Sequence, residues 1–174
     1  MKPVFDRIDP IVSDDVAVTL ALNNAHARET SLLDLAGLKS LLDMAFYARG
    51  VSGGADAFLI ALDQDAPYLN PNFEWFRQRF ERFVYIDRVI VAAHARGHGI
   101  ARRLYEDLFA EAGRAGQNRV VCEVNLDPPN PASDAFHASM GFVEVGRAAI
   151  HGGAKTVRYF ERSLQESPAG PPPY

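Results

Sequence analysis

The chain has 174 residues, a net charge of −4, 48% hydrophobic residues and 23% charged ones, which fits one soluble globular domain large enough for a complete core. The mild acidity gives no overall reason to expect a nucleic acid or an anionic membrane as partner. No run approaches the roughly 18 apolar residues of a membrane helix, no apolar signal segment is predicted, and the single cysteine excludes an internal disulfide and fits a reducing cytoplasm.

In chain order, residues 15–22 alternate enough to predict a first strand ending at Asn23 and Asn24. A helix is predicted from Ser31 to about Arg49, with Leu35, Leu38, Leu42 and Ala45/Phe46 at helical spacing and Ser31 and Asp34 as a weak capping pair. Ser52, Gly53 and Gly54 form a flexible turn, 57–62 a buried strand, 63–71 a loop and 72–80 a short aromatic helix. The central strand is predicted over 83–91, followed by a helix with Ile100, Leu104, Leu108 and Ala112 on its inner face. A buried strand begins near Arg119 and ends at Asn125. A proline-rich loop, a short helix from Ala132 closing on Gly141, and strands over 142–146 and 156–162 follow. Residues 1–165 read as one domain and 166–174 as a proline-rich, mobile tail. Cys122, in a buried strand, reads as core filler rather than nucleophile.

The most informative stretch runs from Val89 to Leu104. A hydrophobic strand enters a turn carrying Arg96, Gly97 and Gly99, and the turn opens a helix. Glycines there let the backbone bend tightly with its amides outward, and the helix adds unpaired N–H groups and a partial positive charge. With Arg96, His98, Arg102 and Arg103 around it, the turn is a focused anion site on a mildly acidic body. The dinucleotide fingerprint fails, because its third small position is Arg102, and no Gly-Lys-Ser/Thr tripeptide exists for a nucleotide-triphosphate loop.

What the stretch does contain is Arg-x-x-Gly-x-Ala, at Arg96, Gly99 and Ala101. Downstream, Phe136, Met140, Gly141 and Phe142 fall in a helix-to-strand junction. On these residues the chain resembles the GNAT superfamily of acyl-coenzyme A-dependent acyltransferases. That family's pyrophosphate motif is Gln/Arg-x-x-Gly-x-Gly/Ala, and its later helix carries Asn/Ala-x-x-Phe/Leu-Tyr-x-x-x-Gly-Phe. The resemblance spans roughly residues 83–163. It implies an α/β fold with a mixed, mostly antiparallel central sheet, splayed central strands and flanking helices.

The resemblance further implies acetyl-coenzyme A as acyl donor, bound along Arg96, Gly97, His98, Gly99, Ile100, Ala101 and Arg102. Val89 and Val91 match the strand region that supplies an oxyanion donor and pairs with the pantetheine arm, and Asn130 falls where the family often places an asparagine on that arm. Transfer would be direct, in a ternary complex, without an acyl-enzyme; homodimers are common in the family. Where the family usually has a tyrosine that protonates the leaving thiolate, this chain has His137. Imidazole can donate a proton near neutral pH, or it can merely pack beside the cofactor; the sequence leaves both open. The missing tyrosine also leaves a non-catalytic acyl-coenzyme A-binding sensor or interaction module as an alternative.

Amine acylation needs a base, because a lysine-like amine of pKa about 10.4 is neutral in about one molecule per thousand at pH 7. Three carboxylates qualify. Glu123 matches a position where some family members keep a catalytic glutamate, Asp87 lies on the central strand, and Glu29 lies near the entrance of the first helix, where an acceptor often binds. A carboxylate inside a strand is costly to bury unpaired, so Asp87 and Glu123 either work or form ion pairs with Arg88, Arg119 or Arg158. Glu123 is the preferred base. Tyr85, with Glu29, is expected on the acceptor side; Tyr47, Tyr68, Phe73, Trp75 and Phe76 could line an aromatic pocket with it, but aromatic residues at such spacing are more often core. Asn23, Asn24 and His26 could bond a polar acceptor or cap a turn. The expected acceptor is a small-molecule amine or a peptide N-terminus. No Gly-x-Ser-x-Gly elbow appears, and the histidines at 26, 94, 98, 137 and 151 show no paired metal-ligand spacing, so no metal is expected.

Overall fold

The computed structural model describes residues 5–27 and 30–165. Seven strands form one sheet in the order β1-β2-β3-β4-β5-β7-β6. They are β1 (Asp9–Pro10), β2 (Tyr47–Val51), β3 (Ala57–Asp63), β4 (Val84–Val91), β5 (Arg119–Asp127), β6 (Val143–Ile150) and β7 (Lys155–Ser163). Every neighbouring pair is antiparallel except β4 and β5. This is the mixed, mostly antiparallel sheet with flanking helices that the sequence led us to expect.

The decisive feature is the β4–β5 pair. These strands run parallel and are in register only at Val84 with Val120 and Tyr85 with Val121. Beyond Tyr85 they part, while β4 stays paired with β3 as far as Val91 and β5 stays paired with β7 as far as Asp127. A wedge therefore opens in the middle of the sheet. The helix α4 (Ile100–Arg114) makes the crossover between the two strands. It buries Ile100, Leu104, Tyr105, Leu108 and Ala112, the face that its spacing predicted plus a tyrosine.

Two N-terminal expectations fail. Residues 15–22 do not form a strand; Val16–Ala25 is the helix α1. Its buried residues are Val16, Thr19, Leu22 and Asn23, a spacing of three to four rather than two. The good helix formers Ala17, Leu20 and Ala21 blurred that pattern into apparent alternation. The second helix, α2, covers only Leu35–Met44. Its cap is Asp34, whose Oδ1 accepts from the Gly37 amide at 2.7 Å, rather than Ser31. The chain then turns into β2, which pairs with β3 from Tyr47 opposite Ala61 to Val51 opposite Ala57. Ala45 and Phe46 satisfy a helical period on paper, but the sheet pairing of the residues after them wins.

The aromatic helix α3 (Pro71–Arg77) forms where expected, ending three residues earlier. Asn70 caps it by accepting from the amides of Asn72 and Phe73, and Pro71 sits at the first turn, where its missing N–H costs nothing. Phe73 and Phe76 are fully buried against Phe83, Tyr85 and Tyr159, so most of this aromatic group is core. Trp75 stacks on Tyr159 at 4.1 Å between ring centroids. It also lies over Gly146, where a Cβ would come within 2.4 Å of the indole, so α3 is seated on β6 and β7 by a position that only glycine fills. The last helix, α5, spans Pro131–Ser139.

Candidate active site

At one end of the wedge lies the turn before α4. Gly97 and Gly99 have φ of +80° and +72°, the left-handed region that glycine enters without strain. A Cβ built on either would meet nothing within 4 Å, so the space over the turn is open. The amides of residues 97–102 have no acceptor among the described residues; the first helical bond is Arg103 N–H to the Gly99 carbonyl, at 3.1 Å. A cavity of about 310 Å³ sits over them, lined among others by Val91, Gly97, Gly99, Ala101 and Arg102. These free, outward amides at a helix N-terminus fit a diphosphate.

The four basic residues of this stretch divide. Arg96 lines the cavity and donates from Nε to the Val91 carbonyl at 3.3 Å. Arg102 also lines it and reaches Ser139 Oγ at 3.1 Å. His98 turns its Nδ1 to the carbonyls of Ala95 and Arg96 and packs edge-on against Phe5, and Arg103 donates to the Phe5 carbonyl. The last two fasten the turn to the N-terminal segment.

A second cavity, of about 470 Å³, opens where β4 and β5 diverge. Val89, Tyr85, Asp87, Glu123, Asn130 and His137 all border it. The structure thus gathers at one hollow six of the residues singled out in the sequence. Glu29 lies outside the described residues, as does the tail 166–174, but Thr30 and Ser31, just after Glu29, line the same hollow.

Its two carboxylates differ sharply. Asp87 is engaged at both oxygens: Oδ2 pairs with Arg88 Nε at 2.7 Å and Oδ1 accepts from Tyr68 Oη at 2.5 Å. Glu123 has no cation. Arg119 pairs with Glu161 and Arg158 with Asp134, which removes the other candidate partners. Its Oε1 accepts from the buried Tyr85 hydroxyl at 3.0 Å, while its Oε2 is shut off from solvent with no partner among the described residues. Burial pushes its pKa up from 4.5 to about 7; the Tyr85 hydrogen bond opposes the rise and the nearby Asp87 charge adds to it. An ionisable group near neutrality at the wall of a cavity is what proton transfer at physiological pH requires. Tyr85, expected to touch the acceptor, is the residue that holds Glu123.

His137 is buried, and its ring is committed at both nitrogens. Nδ1 lies 2.8 Å from the Ser133 carbonyl, which can only accept, so the ring proton sits there. Nε2 then accepts from Tyr105 Oη at 2.9 Å. Burial lowers the imidazole pKa and pushes that of the Tyr105 hydroxyl well up, so both are neutral at pH 7. Asn130 caps α5 by accepting from the Ser133 amide at 3.2 Å. Tyr68, one of the aromatic residues considered for an acceptor pocket, does border the cavity, whereas Asn72, Arg88 and Tyr105 are among the lining residues that went unrecognised as site residues in the sequence. Tyr105 carried a usable signal, since it falls on the inner face of α4. The others acquire their places only through packing. Among the described residues no three His, Cys, Asp or Glu side chains converge on a metal site, and no helix is long and apolar enough to cross a membrane.

Residues 62–142 match the acetyltransferase (GNAT) family. No curated protein matches the sequence significantly. Among solved structures, the ribosomal-protein-S18-alanine N-acetyltransferase from Escherichia coli aligns with 97% of this chain and 98% of its own, at 16% identity and a TM-score of 0.68. A ribosomal-protein-alanine N-acetyltransferase from Brucella melitensis aligns over 91% and 99%, at 23% identity and a TM-score of 0.65. A chain of the NatC complex bound to Gag peptide and CoA aligns over 91% and 98%, at 17% identity and a TM-score of 0.69. At these identities the likeness is one of fold.

Proposed function

We propose, from the premise that residues 62–142 place this acetyltransferase in the GNAT family, that the chain moves an acetyl group from acetyl-coenzyme A to a primary α-amine, that of a peptide N-terminus or a small amino-acid-like molecule. Transfer is direct, within a ternary complex. The free amides of residues 97–102 hold the diphosphate, with Arg96 and Arg102 beside it. Asn130 and the unpaired reach of β4 at Val89 and Val91 lie along the path from that cradle to the second cavity. The thioester supplies an activated carbonyl and a thiolate leaving group.

The observation that carries this reading is Glu123, an uncompensated carboxyl at the divergence of β4 and β5. The Glu123 carboxylate takes the proton that the attacking nitrogen must shed, directly or through a water. Asp87, locked between Arg88 and Tyr68, has no free oxygen for that task. The return proton follows the same group. A carboxyl of pKa about 7 gives a proton to a thiolate of pKa near 8.5 downhill, whereas a buried phenol above 10 gives it uphill. His137, with its only N–H on a carbonyl, positions Tyr105 rather than donating.

The same magnitudes favour the acceptor class. Proton transfer to Glu123 from an α-ammonium of pKa about 8 is unfavourable by roughly 1.4 kcal/mol, and from a lysine-like ammonium by roughly 4.6 kcal/mol. The fold relatives named for ribosomal-protein alanine acetylation, and the one bound to a peptide and CoA, point the same way. The test is thiol release from acetyl-coenzyme A in the presence of peptides with free N-termini, small α-amino compounds and Nα-blocked lysine peptides, alongside calorimetric titration of the donor. We expect submicromolar to micromolar donor binding and turnover on free α-amines at least tenfold faster than on lysine side chains. Binding without release on any amine would convert the protein into a sensor of the donor.

A further inference from the structure

We infer that the dipeptide Asp87–Arg88 is a clamp that fixes two loops at the edge of the acceptor cavity and thereby sets how tightly the amine is held. This rests on the acyl-transfer reading of that cavity. Adjacent residues on a strand normally point to opposite faces, yet the guanidinium of Arg88 folds back to put Nε 2.7 Å from Asp87 Oδ2, with both side chains buried. Each partner then reaches outward to a different loop.

Asp87 holds the loop between β3 and α3, by accepting from the Tyr68 hydroxyl at 2.5 Å. Arg88 holds the connection between α1 and α2. Its Nη1 donates to Asn23 Oδ1 at 2.8 Å, and its terminal nitrogens face the Ser31 carbonyl and Oγ at 3.5 and 3.4 Å. Asn23 Nδ2 donates to the same Ser31 carbonyl at 2.9 Å, and Asn24 binds Leu33 through both its main-chain groups. Ser31, Tyr68, Asp87 and Arg88 all line the cavity.

Apolar packing holds part of each loop, through Leu33 in the first and Ala66 and Tyr68 in the second, but Leu32 and Leu69, next to Ser31 and Tyr68, are 71% and 100% exposed. The polar network adds the directional contacts that orient the cavity-facing ends, and its centre is a buried ion pair. Such a pair tolerates the loss of one partner badly, because the other charge is left uncompensated.

The experiment combines bisubstrate kinetics with hydrogen exchange on three variants. Arg88→Met should raise KM for the amine at least tenfold, leave KM for acetyl-coenzyme A within twofold, and speed amide exchange in residues 30–34 and 64–70. Tyr68→Phe, which deletes a single hydrogen bond, should raise the amine KM about threefold to tenfold and loosen 64–70 selectively. Arg88→Lys keeps the charge but not the planar fork and should fall between the two. A general loss of stability would move both KM values and exchange throughout the sheet, and that pattern from folded Tyr68→Phe or Arg88→Lys overturns the clamp. So does an unchanged amine KM with unchanged exchange in both. If the parent protein turns over no amine, the transfer reading fails but the clamp is still decided: exchange faster only in these loops supports it, and unchanged exchange overturns it.

Discussion

At the end of the wedge proposed to take the donor, the wall is made of main-chain amides of six consecutive residues, 97–102, presented by two glycines and a helix N-terminus. At the end proposed to take the acceptor, it is made of side chains gathered from α1, the loops after β3 and α1, β4 and β5. The first region is built from consecutive residues and open above the glycines, with His98 and Arg103 tying it to Phe5. The second is assembled across the fold, buried, and bound by charge and hydrogen bonds. On the proposed function, the donor's diphosphate is the same in every reaction, so a fixed backbone shape would suffice to hold it. Acceptors differ, and the cavity proposed to receive them is built from side chains that can be exchanged one at a time.

That contrast breaks most completely at Gly99. Gly99→Glu places a negative side chain in the cradle, where no protein atom lies within 4 Å of the new Cβ, at a φ that only glycine favours. Calorimetry should show donor affinity falling at least a hundredfold while the acceptor-side network persists; unchanged affinity removes the cradle. On the other side, Glu123→Gln should cut kcat by about 10²- to 10⁴-fold with donor affinity unchanged, measured by thiol release and titration.

The pH dependence sharpens the same point. Glu123 must be ionised to accept a proton, so kcat should climb about tenfold per pH unit below about 7 and flatten above it. Stability should run the other way. A carboxyl whose pKa is raised on folding favours the folded state fully below its unfolded value near 4.5, and that advantage is lost as pH rises through 7. Glu123→Gln should therefore melt higher than the parent at pH 8, by the equivalent of about 1–3 kcal/mol, with the gap closing by pH 5. The smallest effect is expected at His137. His137→Phe leaves the buried Tyr105 hydroxyl without its acceptor and should cost about 1–3 kcal/mol of stability. Its kcat should fall less than tenfold; a loss comparable to that of Glu123→Gln would make the imidazole the acid after all.

The two regions were also unequally readable. The turn and the helix start were visible from Arg96, Gly97, Gly99 and Ala101, because they are fixed by residues adjacent in the chain, while the turn's reading as a cradle leaned also on Phe136, Met140, Gly141 and Phe142 downstream. The strands 57–63, 84–91 and 119–127 and the inner face of α4 were visible for the same reason, their periodicities being uninterrupted. The first helix was misread as a strand, since small apolar residues on both its faces hid the three-to-four spacing. Strand β2 was swallowed by a helix that ends at Met44, because nothing before residue 57 announces the partner that claims it.

By itself, then, the sequence determined the glycine turn that opens α4, the order of the later strands and helices, and Glu123 and Asp87 as the strand carboxylates worth weighing. Only the tertiary structure separates the surroundings of those two, by giving Asp87 to Arg88 and Tyr68 and leaving Glu123 with a phenol and no cation. It also decided that both ring nitrogens of His137 are engaged. The physical reason is range. Backbone shape follows from neighbours in sequence, whereas the protonation of a buried group depends on burial and on charges that the chain brings in from far away along its length.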